Sequence, residues 1–148
     1  MTSTEATSKG RIVAGVDGSE SSLAAMHWAA RQSKLTGSSL EVIMTWEWPT
    51  TYGWAIPFAD NYDPATEAQR FLDEIVEKLR GEHPDLTVQA RVFEGHPALI
   101  LVDASAAADL LVVGSRGHGE FVGMLLGSIS EHCAAHAHCP VVVFRDHE

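Results

Sequence analysis

The stretch Asp109-Leu110-Leu111-Val112-Val113-Gly114-Ser115-Arg116-Gly117-His118-Gly119 decides the fold. Its first half is a short run of branched apolar residues, the composition of a strand buried on both faces. Its second half is a glycine-rich turn. Similar apolar runs recur at residues 11–16, 40–45, 86–93 and 140–144. The run at 86–93 alternates, with Leu86, Val88, Ala90 and Val92 on one face and Thr87, Gln89 and Arg91 on the other. It therefore predicts a half-exposed strand near a sheet edge.

Four helical stretches separate these strands. Ser19 is placed to cap the first, which carries Leu23, Met26 and Ala30 on one stripe and ends near Gly37. Asp63 caps the second and Pro64 takes its first position; Ala68, Phe71, Leu72, Ile75 and Leu79 repeat at helical spacing up to a stop at Gly81. Pro97 opens a third helix over residues 97–107, and a fourth covers 128–137. Strict alternation of strand and helix predicts right-handed crossovers and a parallel sheet covered on both faces. The connection 47–62 is unusually long and holds Trp48, Pro49, Tyr52, Trp54, Pro57 and Phe58. A loop of that length folds over a ligand, packs on a partner, or shields one end of the sheet.

The chain has 148 residues, one domain's worth, with 1–10 read as a disordered polar tail and 11–148 as a single domain. Two cysteines, Cys133 and Cys139, are too few for a disulfide framework and lack metal-site spacing. No signal peptide and no membrane-length apolar run is present, so a cytoplasmic protein without a membrane partner is expected. The formal net charge of −10, with its Lys and Arg scattered, argues against a nucleic-acid partner. A small anion is different, because oriented backbone N–H groups hold one locally whatever the overall sign.

In an open α/β sheet, ligands sit beyond the carboxyl ends of the strands where the winding reverses. Asp17-Gly18-Ser19 and the Gly114 loop both lie at such ends. A strand order of 3-2-1-4-5 makes their strands neighbours and puts the switch point between them. Glycines let several N–H groups converge on phosphate oxygens. Gly127-Ser128 then supplies a helix start whose N–H groups and dipole favour an anion. Ser128 and Ser130 offer hydroxyls and Arg116 a charge. The Walker A pattern is missing its Lys, and Gly117-x-Gly119 follows the fourth strand rather than the first, so neither standard phosphate motif applies.

Gly114-x2-Gly117-x9-Gly127-Ser128, together with Ile12-Val13-Ala14-Gly15-Val16-Asp17-Gly18-Ser19 and His138-Cys139-Pro140-Val141-Val142-Val143, resembles the ATP-binding class of the universal stress protein family. The resemblance spans residues 11–145. It implies a Rossmann-like open five-stranded parallel sheet, order 3-2-1-4-5, with helices on both faces. It also implies ATP, with or without Mg2+, held by Gly15 and Asp17 near the nucleoside and by Gly114, Arg116, Gly117 and Gly119 around the phosphates. Gly127, Ser128 and Ser130 would act at the helix start, and the backbone near Met44 and Thr45 would meet the adenine edge. A homodimer through the last strand, Val141–Phe144, is implied as well. His118 and Glu120 occupy variable positions of the loop.

No nucleophile and base pair stands out, and no Gly-x-Ser-x-Gly elbow occurs. The expected function is regulatory binding of ATP in a stress response. The alternatives are a weak ATP hydrolase, in which Asp17 and Glu120 position a water, or a protein-interaction module with a structural nucleotide. His132 and His136 are spaced four apart on the last helix, with Cys133, His138 and Cys139 nearby. A metal site is conceivable there, but a helix-to-strand turn at His138-Cys139-Pro140 and an apolar role for Cys133 account for the same residues, and no metal is assigned.

Overall fold

The computed structural model describes residues 10–48, 50–51, 54–55, 63–116 and 126–145. Strands β1 (Arg11–Val16), β2 (Ser39–Trp46), β5 (Val88–Glu94), β6 (Leu110–Gly114) and β7 (Val141–Phe144) form one parallel sheet in the order β5-β2-β1-β6-β7. This is the expected 3-2-1-4-5 order. Helices α1 (Glu20–Thr36), α2 (Pro64–Glu82), α3 (Pro97–Ser105) and α4 (Ser128–His136) connect the strands.

Because side chains alternate along a strand, the sheet separates two cores. Ile12, Ala14 and Val16 of β1 face α1 and α2, meeting Ala25, Met26, Leu72, Val76 and Leu79. Val13 of β1, with Ile43, Leu111 and Val113, faces α3 and α4, meeting Leu101 and Cys133. A fully buried Leu or Val contributes roughly 1.5–3 kcal/mol, so the two cores together are the main driving force.

The caps fall where expected. Ser19 Oγ accepts from Ser22 N at 3.2 Å, and Gly37 closes α1 in the left-handed conformation. Asp63 accepts from Ala65 N and Thr66 N; the Thr66 hydroxyl, then the backbone bonds, hold its carboxyl below the usual aspartate range. Gly81 does not end α2. The helix runs on to Glu82, and the buried stripe includes Val76, one turn beyond Leu72. The third strand begins at Val88 rather than 86, and α3 stops at Ser105.

The long connection is not wholly irregular. β3 (Thr50–Thr51) and β4 (Trp54–Ala55) pair antiparallel, and Trp46 and Trp48 meet edge to face at 5.7 Å. Pro49, Tyr52, Pro57 and Phe58 lie outside the described residues, as do residues 1–9 of the expected tail. Gly10 already joins the sheet, its carbonyl accepting from Ser39 N at 3.0 Å.

The two sheet edges differ. β5 is half-exposed, with Gln89 and Arg91 outward, and Arg80 Nη2 of α2 donates to Val88 O at 2.7 Å. That bond covers an edge carbonyl which would otherwise invite another strand. On β7, the carbonyls of Pro140 and Phe144 accept from Leu111 N and Ser115 N. Residues of even number therefore bond β6, and the backbone groups of Val141 and Val143 point away from the sheet.

Candidate functional site

The winding reverses between β1 and β6, and a crevice of about 470 Å3, counting the solvent at its mouth, opens there. The β1 end contributes Gly15, Val16 and Asp17. The β6 side contributes Val113, Gly114 and Arg116. Ile43 and Thr45 of β2, Pro97 and Leu101 of α3, and Gly127, Ile129 and Ser130 at the start of α4 complete the walls.

A fixed turn positions Asp17. Gly18 takes φ 87°, a conformation natural to glycine, which turns the chain from β1 into α1. Asp17 Oδ1 accepts from Ser19 N at 2.9 Å and from Ser19 Oγ at 2.6 Å, while Asp17 N donates to Ser22 Oγ at 3.1 Å. The carboxylate is thus oriented by its own helix cap before any ligand arrives.

The other side is closed by Ser115. Its N–H donates to Phe144 O, and its carbonyl accepts from Gly127 N at 2.7 Å and from Ser130 Oγ at 3.2 Å. These bonds bring the residues just after β6 against the start of α4, although eleven residues separate 115 from 127 in sequence. Gly127 gives α4 no side-chain cap. Gly127, Ile129 and Ser130 line the crevice, so the positive end of the α4 dipole lies beside it.

Of the expected site residues, Gly15, Asp17, Gly114, Arg116, Gly127 and Ser130 come together in the crevice walls. Gly117 and Gly119, with His118 and Glu120, lie outside the described residues. Met44 is not in the walls. Its side chain packs on the opposite core, and its neighbours Ile43 and Thr45 face the crevice instead, as strand alternation requires. Ser128 is exposed and not part of the walls. Ser130 differs from expectation in its chemistry. Its buried hydroxyl donates to Gly127 O at 3.0 Å and to Ser115 O, so it clasps the loop rather than offering its proton to a phosphate.

Two glycines have packing reasons of their own. A Cβ on Gly15 would stand 2.7 Å from Leu101 Cδ1, and one on Gly114 would stand 2.8 Å from the backbone C and O of Ser21. The first lets α3 approach the sheet; the second lets the first turn of α1 lie against the end of β6. The apolar wall of Leu101, Pro97, Val113 and Ile129 was not read from the sequence. Pro97 was visible as a helix start, but only the crossover of α3 brings it beside β1.

The fold is a doubly wound α/β arrangement, and its crevice lies at the topological switch point between β1 and β6. The model of the universal stress protein family matches residues 9–145. The chain belongs to the universal stress protein family. A universal stress protein of Mycolicibacterium smegmatis is 35% identical over 137 residues, covering 90% of this chain and 45% of that protein. One of Mycobacterium tuberculosis is 34% identical over 143 residues, with coverage of 91% and 45%. The chain thus spans about half the length of the relatives it matches. A universal stress protein solved in complex with cAMP superposes with a TM-score of 0.68 at 25% identity, covering 94% of this chain and 98% of that one. Among the described residues, no helix is long and apolar enough to cross a membrane.

Proposed function

We propose that the crevice binds an adenine nucleotide, ATP foremost, and that the bound nucleotide serves as a regulatory ligand in a stress response. The observation that carries this reading is that the start of α4, the positive end of its dipole, lines the same crevice as the apolar wall from α3 and β6. A nucleotide needs both: a flat apolar slot for its base and oriented amides for its phosphates. Asp17 suits a ribose hydroxyl or a Mg2+ ion, and Arg116 suits a phosphate. The cAMP held by the related structure supports the same ligand class. Gly117 and Gly119 would add further amides.

The test is direct. The purified protein is heat-denatured and any released nucleotide identified, and stripped protein is titrated with ATP, AMP and cAMP. Saturable one-to-one binding is expected. No binding of any of the three would end the reading. Phosphate release that scales with protein and vanishes in Asp17→Ala would replace it with the hydrolase.

A homodimer through β7 fits the difference between the edges. Arg80 covers the β5 edge, whereas Val141 and Val143 direct their backbone groups outward from an apolar strand. Val143→Pro removes one outward N–H and leaves the bonds to β6 in place. Light scattering should show a dimer for the natural chain and a monomer for V143P. A V143P dimer, or a monomeric natural chain, would overturn this pairing.

A further inference from the structure

The nucleotide reading leaves α4's exposed face unexplained. His132 and His136, one turn apart, stand with ring centroids 4.5 Å from each other and planes inclined by 44°. Residues four apart share a helix face. We propose that these two imidazoles chelate one borderline divalent metal ion, with copper(II) preferred over nickel(II) and zinc(II), water filling the remaining positions.

Several features favour a cation at this place. His136 is the last residue of α4, where unbonded carbonyls and the negative end of the helix dipole attract positive charge. The helix Ser128–His136 contains no Lys or Arg to repel a metal. The chain as a whole carries a formal net charge of −10, which raises the local concentration of cations.

The donor set selects the metal. Cys133 lies on the same helix but faces the core, fully buried, and burial pushes its thiol up to about 11. Packed in that core, its sulfur stands apart from the pair. The Cys139 thiol is likewise raised, by burial and by the nearby Asp109 carboxylate, and its Sγ–H is directed at Pro140 O. The site is therefore nitrogen-only, and among the described residues no group of three metal-ligating side chains forms. Two imidazoles without thiolate follow the ordinary affinity order, in which copper(II) exceeds nickel(II) and zinc(II).

The test is a titration of the full chain with copper(II) chloride, followed by electron paramagnetic resonance and calorimetry. One copper per chain with nitrogen superhyperfine structure is expected. Chelation makes the second bond intramolecular, so His132→Ala and His136→Ala should each lower affinity about a hundredfold. His27→Ala, on α1, should leave it unchanged. Metal-free thermal unfolding of each variant establishes that it is folded, and either single variant suffices for the test. Wild-type copper affinity in a folded His132 or His136 variant would overturn the proposal, as would a signal lacking nitrogen coupling.

Discussion

Alanine at Gly114 is expected to destabilise the fold by about 1–3 kcal/mol, the usual cost of overpacking a tight contact, and to weaken nucleotide binding by about tenfold or more. The new Cβ would stand 2.6 Å from Ser21 Oγ and 2.8 Å from the Ser21 backbone. The hydroxyl can rotate away, but the backbone of α1 cannot move without moving its first turn. That turn carries Ser19 and Ser22, whose bonds orient Asp17 at the crevice. Stability and binding should therefore fall together. Gly81 gives the opposite sign. It lies inside α2 with nothing within 4 Å of its Cβ position, so Gly81→Ala should stabilise by about 0.5–1 kcal/mol. Denaturant unfolding and nucleotide titration measure both effects, and a G114A protein of natural stability would remove the packing argument.

Arg11→Met should destabilise by about 3 kcal/mol, near the low end for breaking a buried ion pair. Glu41 is 2% exposed in the middle of β2, on the face shared with Val13 and Ile43. Arg11 bonds one carboxylate oxygen, and Arg91 Nη1 lies 3.3 Å from the other without an aligned hydrogen bond. Arg91 is also half-exposed and rests against Phe93, so it is a weak substitute for Arg11. Loss of Arg11 leaves a desolvated carboxylate poorly compensated. The double variant Arg11→Met/Glu41→Leu removes the buried charge as well, and its stability should return to within about 1 kcal/mol of the natural chain. Strict additivity of the two substitutions in urea unfolding would rule out this account.

Much of the fold was legible because its signals are local. Ser19, Asp63 and Pro64 announce helix starts through capping, and the β-branched runs announce strands through burial on both faces. Gly81 misled because glycine ends a helix only where the chain must turn; here the chain continues in a helix for one more residue. Met44 shows a different limit. The end of β2 lies at the crevice, and which of two adjacent side chains faces it depends on the parity of the strand. Ser130 lies in the crevice wall, but its hydroxyl proton is taken by Gly127 and Ser115, a demand visible only once the loop closes.

The sequence by itself determined the alternation of elements, the caps at Ser19, Gly37 and Asp63, the 3-2-1-4-5 order and the family, since each rests on patterns within a few residues or on the spacing of glycines. The tertiary structure decided the rest. It showed that Leu101 fills the space Gly15 leaves, that Ser21 requires glycine at 114, and that Ser115 ties β6 to α4. It also showed that Arg80 covers one sheet edge and that, at the other, Val141 and Val143 turn their backbone groups outward. These facts depend on contacts between segments distant along the chain, and short-range pattern carries no information about which surfaces will meet.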